Sequence, residues 1–336
     1  MHPTLISAMD RQAGVFSTAD ALASGIDRNA IGPLLRSRAW RRIRYGVYTT
    51  GEQWRRHAAE GRTHRLECAA ALRRLERTSV VVSHDSAARL HGLVVPRSAD
   101  ADVRLTDPDQ FRTGRGYRIS QAALPPPDVL VHEGLPVTAL PRTLADVGRE
   151  WPVVDSVIAV DDALADGRTT LDELRTAALA QTHWVGCGQA ARAISLARVG
   201  AHSPHETRTR LALLAAGLPE PLLQQAVFLG SRLVAVLDGY WPEFGVFLEC
   251  DGMVKYTDPW HGRTPGEVAW QEKRRHDVLL DVDLQGVRVA PEDLTERWPE
   301  KVARLHALMG RPRTAPRCRI VPWNGGLRTT PRSAAG

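Results

Sequence analysis

Two short apolar runs in this chain, LVAVLD from Leu233 to Asp238 and GVFLECD from Gly245 to Asp251, end in acids where a buried strand should stay apolar. A strand places alternate side chains on opposite faces, so Phe247, Glu249 and Asp251 share one face and Val246, Leu248 and Cys250 the other. Two acids on one strand face repel, and burial raises that cost unless a cation or a proton intervenes. Asp238 and Glu249 would meet at the edge of a sheet, which makes Asp238, Glu249 and Asp251 candidate ligands for Mg²⁺ or Mn²⁺. Such a cation lowers the pKa of a bound water and neutralises charge on a phosphate, the chemistry of phosphodiester cleavage. The plainer reading is that Asp238-Gly239 and Asp251-Gly252 are turn dipeptides. Glu249 is harder to explain that way, because a lone carboxylate after GVFL is expensive to bury.

The flanking segments would position these acids. Ser203-Pro204-His205-Glu206 opens a helix that closes near Gly217 and Pro219, and Glu206 reads either as the far end of a capping box or as a further acid of the site. Glu267 to Leu280 reads as a second helix, with Lys273 and Arg275 on its solvated face. GVRVA follows as a short strand and PEDL as a helix start, giving the order helix, strand, strand, helix, strand. Only Lys255, Lys273 and Lys301 among the 44 basic residues are lysines, and two of the three fall in this segment. A lysine can share a proton or act as a compact charge, which arginine does poorly.

Composition bounds the class. A chain of 336 residues with 43% hydrophobic content can bury two or three cores. The net charge of +6 and a pI of about 9.5 favour an anionic partner. Cys68, Cys187, Cys250 and Cys318 are far apart and form no CxxC pair, which argues against a disulfide framework or a zinc site. No apolar run reaches membrane length and no signal peptide opens the chain, so the expectation is a cytoplasmic protein with no membrane partner.

The basic excess is concentrated in residues 1–79, which hold 14 Arg against 7 acids. Thr4 to Ala13 can form a helix, Ser17 can cap a second over Thr18 to Ser24, and Asp27 can cap a third over Arg28 to Arg38. The turn between the last two is short, as a helix-turn-helix requires. WRRIRYGVYTT then alternates like a hairpin. In a winged helix of this layout Arg28, Asn29, Arg36 and Arg38 would face a groove of double-stranded DNA, while Arg41, Arg42 and Arg44 line the wing along phosphates. The bland alternative is a small helical bundle whose arginines only solvate its surface.

The middle of the chain carries strand-like SVVVSH, ADVRLTD and GYRIS and the helix-like WPVVDSVIAVDDALA, with no catalytic constellation. His84 and His91 stand seven residues apart, two helical turns, and suggest a buried hydrogen-bonded pair. After Gly310 the tail has six Arg, no acid and many Pro, Gly and Ser, which reads as disorder.

Two resemblances join these readings. SPHETRTRLALLAAGLPEPLLQQ, LDGYWP, LECDGMVKY, EKRRHDVLL and GVRVAPEDL, over about residues 200 to 297, resemble the domain-of-unknown-function 559 family, related to very-short-patch-repair endonucleases in the PD-(D/E)xK superfamily. That resemblance implies a restriction-endonuclease-like fold, Mg²⁺ or Mn²⁺ held by Asp238 and Glu249, and Glu206 as a further acid. The superfamily places a lysine two residues after the glutamate, where this chain has Asp251. Lys255 or Lys273 would then supply the ammonium from elsewhere. Residues Thr4 to Tyr48, VVVSHDSAARLHGL and GLPVTALPRTLADV are similar to AbiEi-type antitoxins, whose N-terminal winged helix binds operator DNA and whose next domain serves antitoxicity.

The resulting expectation is an α/β multidomain chain. It comprises a winged helix-turn-helix over 1–79, an α+β middle domain over 80–180, a restriction-endonuclease-like domain over 200–310 and a disordered basic tail over 311–336. Its function would be DNA binding in defence or in a toxin–antitoxin pair, with a cognate toxin as partner and metal-dependent cleavage through Asp238, Glu249 and Lys255. The alternative is a non-catalytic antitoxin or repressor that keeps the nuclease fold as scaffold.

Overall fold

The computed structural model describes residues 2–99, 101–251, 265–312 and 315–323. The chain divides into two compact α/β units, the first built from residues 1–160 and 168–196, the second from Asp161–Gly167 and the chain from Ala197 onward.

The first unit opens with helix α1 (Pro3–Arg11), strand β1 (Phe16–Ser17) and helices α2 (Thr18–Ala23) and α3 (Arg28–Arg36). Their starts are fixed by side-chain caps. Ser17 and Asp20 form a reciprocal capping box on α2, and the Asp27 carboxylate accepts the Asn29 N–H at 2.6 Å on α3. Strands β2 (Trp40–Arg44) and β3 (Val47–Thr50) make a hairpin through Tyr45 and Gly46, and β1 pairs with β3 to give the order β1-β3-β2. Leu5, Met9, Phe16, Ala21, Ile31, Trp40 and Tyr48 form the core beneath, with Phe16 edge-on to Trp40 at 4.6 Å.

Helices α4 (Gly51–Ala59) and α5 (Thr63–Leu75) lead into a six-stranded sheet of β4 (Val81–Val82), β5 (Val103–Asp107), β6 (Arg112–Gly114), β7 (Tyr117–Gln121), β8 (Val129–His132) and β9 (Leu135–Thr138), in the order β6-β7-β5-β4-β9-β8. Helix α6 (His84–Leu90) follows β4, and α7 (Leu140–Gly148), α8 (Val153–Ala165), α9 (Leu171–Leu179) and α10 (Cys187–Leu196) complete the helices before residue 197. A boundary at residue 79 does not divide this unit. The Leu66, Cys68, Ala69, Ala70 and Ala71 face of α5 shares one core with Val80, Val82, Val103, Leu105, Ile119 and Val137. The small residues of α5 let the helix sit close on the strands, so helix and sheet bury each other.

In the second unit α11 (Pro204–Ala215) precedes β10 (Leu222–Leu229), β11 (Arg232–Trp241) and β12 (Val246–Cys250). Helix α12 (Pro265–Asp281) leads to β13 (Gln285–Val289), and α13 (Trp298–Met309) to β14 (Arg319–Pro322). The sheet runs β13-β12-β11-β10-β14, with β12 and β13 parallel across the α12 connection and the other pairs antiparallel. Leu248, Cys250, Val287 and Val289 pack against Leu213 and Leu305 on one face, whereas Phe247, Leu237 and Val227 pack against Leu279 and Val282 on the other.

Two sequence expectations change here. The segment from Leu222 is a full strand, β10. The tail is not wholly without structure, because Arg319–Pro322 pairs antiparallel with Gln225 to Phe228. Its composition predicts disorder only for an isolated segment, and the open edge of β10 supplies the ladder that the segment cannot make alone.

Candidate active site and nucleic-acid interface

Strand β12 alternates as its sequence requires, with Leu248 and Cys250 in one core and Phe247 in the other. The parallel register sets Arg288 of β13 beside Glu249. One guanidinium nitrogen of Arg288, Nη2, lies 2.8 Å from Glu249 Oε2, and Nη1 lies 3.2 Å from Asp251 Oδ2. Arg275 of α12 brings Nη2 to 3.0 Å from Glu249 Oε1. Glu249 is 3% exposed, yet neither of its oxygens accepts a hydrogen bond among the described residues. These are ion-pair distances with misaligned N–H vectors, so the buried charge is compensated electrostatically and left short of hydrogen bonds.

Asp238 stands on β11 opposite Gln224 of β10. The β10–β11 ladder pairs Leu223 with Gly239 and Gln225 with Leu237, and Gln224, at the position between, holds a left-handed backbone with φ of 48°. The β11–β12 ladder ends at Gly239 and Leu248, one step before Asp238 and Glu249 would face each other. There the Asp238 carboxylate accepts the Cys250 N–H at 2.7 Å.

Glu206 is not the second half of a capping box. Ser203 Oγ accepts the Glu206 N–H, but the Glu206 carboxylate accepts the His202 N–H at 2.8 Å and an N–H of the Gln224 amide at 3.2 Å. The Cys250 thiol registers how the acids converge. Burial pushes its pKa well above the usual range, and the charges of Asp238, Glu206 and Asp251 push it further.

Among the described residues no three His, Cys, Asp or Glu side chains close on a point as a full protein cage for a metal would. Mg²⁺ commonly takes only one or two carboxylates, with water and substrate phosphate filling the rest. Glu249, ion-paired but not hydrogen-bonded among the described residues, and Asp238 are two carboxylates of the number that smaller requirement asks for, and a cation there would take the place of the Arg275 and Arg288 charges beside Glu249. Lys255 lies outside the described residues, as does the side chain of Lys273. Arg275, read from sequence as a solvated helix residue, instead pairs with Glu249. Arg288 was not legible as a site residue, and its one signal is an arginine inside the otherwise apolar run GVRVA.

At the N-terminus Arg28, Asn29, Arg36, Arg38, Arg41 and Arg42 are exposed, and Tyr45 at the hairpin tip is 82% exposed. Arg41 stacks its guanidinium 3.8 Å from the centre of the Trp54 ring, an arrangement that holds the cation outward on the hairpin. Arg44 differs from the wing role expected of it. Its Nη1 and Nη2 donate to the carbonyls of Arg115 and Gly116 at 2.8 and 2.7 Å, tying the hairpin to the turn between β6 and β7.

The two middle motifs build buried networks. His84, at φ 48° as the first residue of α6, contacts Ser83 Oγ at 2.8 Å and lies 3.5 Å from Glu150, which Arg104 grips through two hydrogen bonds. His91 instead contacts the Thr138 carbonyl at 2.8 Å and the ring of His132. The histidines therefore serve different partners and do not form the expected pair, because His84 opens α6 in a left-handed conformation that takes its side chain off the helical face of His91. In PRTLADV, Arg142 binds Asp146 and Asp128, and Trp184 lies 5.0 Å from the guanidinia of both Arg142 and Arg149.

No family model matches this chain, and no curated protein sequence does. Among solved structures it is similar to the RV2827C protein from Mycobacterium tuberculosis, at 17% identity and a TM-score of 0.36 over 67% of this chain and 85% of that one. No helix among the described residues is long and apolar enough to cross a membrane.

Proposed function

We propose that this chain is a cytoplasmic duplex-DNA-binding protein of the defence or toxin–antitoxin type. In this reading an N-terminal winged helix docks on DNA, and an endonuclease-like C-terminal unit acts on phosphodiesters through Asp238 and Glu249. The observation that carries the catalytic part is Glu249, a nearly fully buried carboxylate without a hydrogen bond among the described residues, opposite Asp238 one step beyond the last pair of the β11–β12 ladder. The DNA-binding part is supported by two capped helices joined by residues 24–27, followed directly by a hairpin with exposed arginines. The similarity of SHDSAARLHGL and PRTLADV to AbiEi-type antitoxins supports the regulatory setting, with a cognate toxin as the second partner.

Asp238 and Glu249 are the residues that would hold Mg²⁺ or Mn²⁺, which when bound acidifies a water and offsets charge on the phosphate. Glu206, fixed by the His202 amide and Gln224, keeps negative charge on the Asp238 side of the strand. Arg275 and Arg288 balance Glu249 in the protein alone. A second reading, a non-catalytic antitoxin on a nuclease scaffold, is favoured by that same arginine pairing and by Asp251 where the pattern has lysine.

Cleavage by the full-length protein separates the two. The wild type is expected to nick supercoiled DNA with Mn²⁺ and not with EDTA, and Asp238→Asn and Glu249→Gln each to lower the rate by about a hundredfold or more. Equal trace activity in all three proteins, with folding intact, would leave the scaffold reading standing.

A further inference from the structure

The β2–β3 hairpin has a second hairpin at its side. Arg44, the last residue of β2, donates Nη1 and Nη2 to the carbonyls of Arg115 and Gly116 at 2.8 and 2.7 Å, so the β6–β7 turn lies beside the exposed tip at Tyr45. Two glycines permit the approach. Gly116 holds a left-handed φ of 75°, and a Cβ there would meet the Arg44 guanidinium at 3.3 Å. A Cβ on Gly114 would stand 2.3 Å from the Tyr117 ring, and that ring carries the guanidinia of Arg44 and Arg112 at 5.6 and 6.0 Å from its centre. The turn is anchored by its own sheet as well, since β7 pairs in parallel with β5 from Tyr117 to Gln121.

The charges around this junction divide into engaged and open ones. The Arg44 charge is faced by Glu67 and Asp102, and Arg77 holds Asp107 and Asp109, just before β6, at 3.0 and 2.8 Å. Arg112 and Arg115 are exposed, and among the described residues neither makes an ion pair. Arg41 and Arg42 are exposed on the adjoining hairpin. Open cations on two neighbouring hairpins complement a row of phosphates, which a duplex presents about every 3.4 Å along each strand. We propose that Arg112 and Arg115 are phosphate contacts, extending the duplex-DNA surface of the winged helix onto the β6–β7 hairpin of the six-stranded sheet. The inference rests on the reading of the first unit as a duplex-DNA-binding protein.

The test is a salt titration of the full-length protein on a random-sequence DNA duplex, in EDTA so that no cleavage intervenes. Arg112→Ala and Arg115→Ala are each expected to lower the slope of log affinity against log salt by about 0.9, and the double variant by about 1.8, with the thermal midpoint unchanged. Replacing both by lysine is expected to keep the wild-type slope, because lysine also binds phosphate, as a point charge. Arg175→Ala, which removes an exposed arginine from α9, is expected to leave the slope unchanged. Arg115→Ala keeps the test open if Arg112→Ala disturbs Tyr117. Wild-type slopes in the alanine variants, an equal loss in Arg175→Ala, a loss that lysine does not restore, or affinity for duplex RNA alone would each overturn the proposal. Losses at Arg28 and Arg41 with none at Arg112 and Arg115 would leave the winged-helix reading standing without the second hairpin. Losses at Arg112 and Arg115 with none at Arg28 and Arg41 would sink the helix-and-wing docking and keep this surface.

Discussion

A buried histidine beside a carboxylate sets the acid sensitivity of the first unit. Burial lowers the pKa of His84, opposed by Asp146 and Glu150 and reinforced by Arg104 and Arg149. Its folded-state pKa therefore lies below its unfolded value near 6.5, so its contribution to stability is present above that pH and is lost as pH falls through it. His57 and His91 are lowered by burial as well and act with the same sign. Burial alone would raise Glu150, but the Arg104 hydrogen bonds and the charges of His84, Arg104 and Arg118 outweigh it and hold the carboxyl at about 2. That contribution is present above about 4.5 and is lost as pH falls toward about 2. The expected result is a thermal midpoint that drops between pH 7.5 and 5. His84→Asn, which tolerates the left-handed backbone, is expected to make that drop shallower; an unchanged pH slope in the folded variant would remove His84 from the account. At this scale the acids were legible and their partners were not. Asp238 and Glu249 stand out as charges that interrupt apolar runs. Arg275 and Arg288 reach Glu249 only through a helix position and a parallel register, neither of which the local pattern contains.

Among the elements, helix starts were the most legible, because a cap is a local contact between residues three or fewer apart. Ser17, Asp27 and Ser203 each cap where the sequence places them. Strand β14 was missed because its ladder partner β10 lies some ninety residues earlier in the chain; β10 pairs locally with β11 through the turn at Gly230 and Ser231, and its run LLQQAVFL lacks the strict alternation that marks a strand. The hairpin illustrates the same difference, with Arg41 and Arg42 exposed as read but Arg44 bound to the carbonyls of Arg115 and Gly116. Two kinds of arginine variant should therefore separate. Arg28→Ala and Arg41→Ala are each expected to weaken duplex binding and reduce its salt slope by about 0.9, with the thermal midpoint nearly unchanged. Arg44→Ala is expected to lower the midpoint and change the salt slope little. A gel-shift salt titration and a thermal melt on the same three proteins check this, and an Arg44 variant that behaves like the others would return it to the DNA face.

At the scale of the whole molecule, the two units close their cores with segments that sequence boundaries would discard. Ending the chain at Gly310 would remove β14 and leave the edge of β10 open, with the partly buried Ile320 lost from its core. The expected cost is roughly 1–3 kcal/mol in urea unfolding, together with greater self-association through the exposed edge. A truncated protein as stable and as monomeric as the full chain would show that β14 contributes nothing to the sheet. A fragment of residues 1–79 carries the same risk, because it would expose the face of α5 that the six-stranded sheet covers.

Asp161, 1% exposed, is salt-bridged at 2.9 Å to Arg210, also 1% exposed, and accepts the Arg198 N–H and the Thr207 hydroxyl. Asp161–Gly167 belongs to the second unit, yet the chain returns to the first for Arg168–Leu196 before the second unit resumes. Genetic exchange between related genes therefore has no single clean crossover point between the units. A breakpoint anywhere from 168 to 196 would inherit Arg210 and Glu220 from one parent and Asp161, the other counter-ion of Arg210, from the other. Loss of the acid at residue 161 would then leave Glu220, 3.0 Å from Arg210 Nη1, as the remaining ion-pair partner of a buried guanidinium, a loss of at most about 3–5 kcal/mol. The two halves of this protein are thus expected to have descended as a linked pair, with residues 161 and 210 changing together when they change at all.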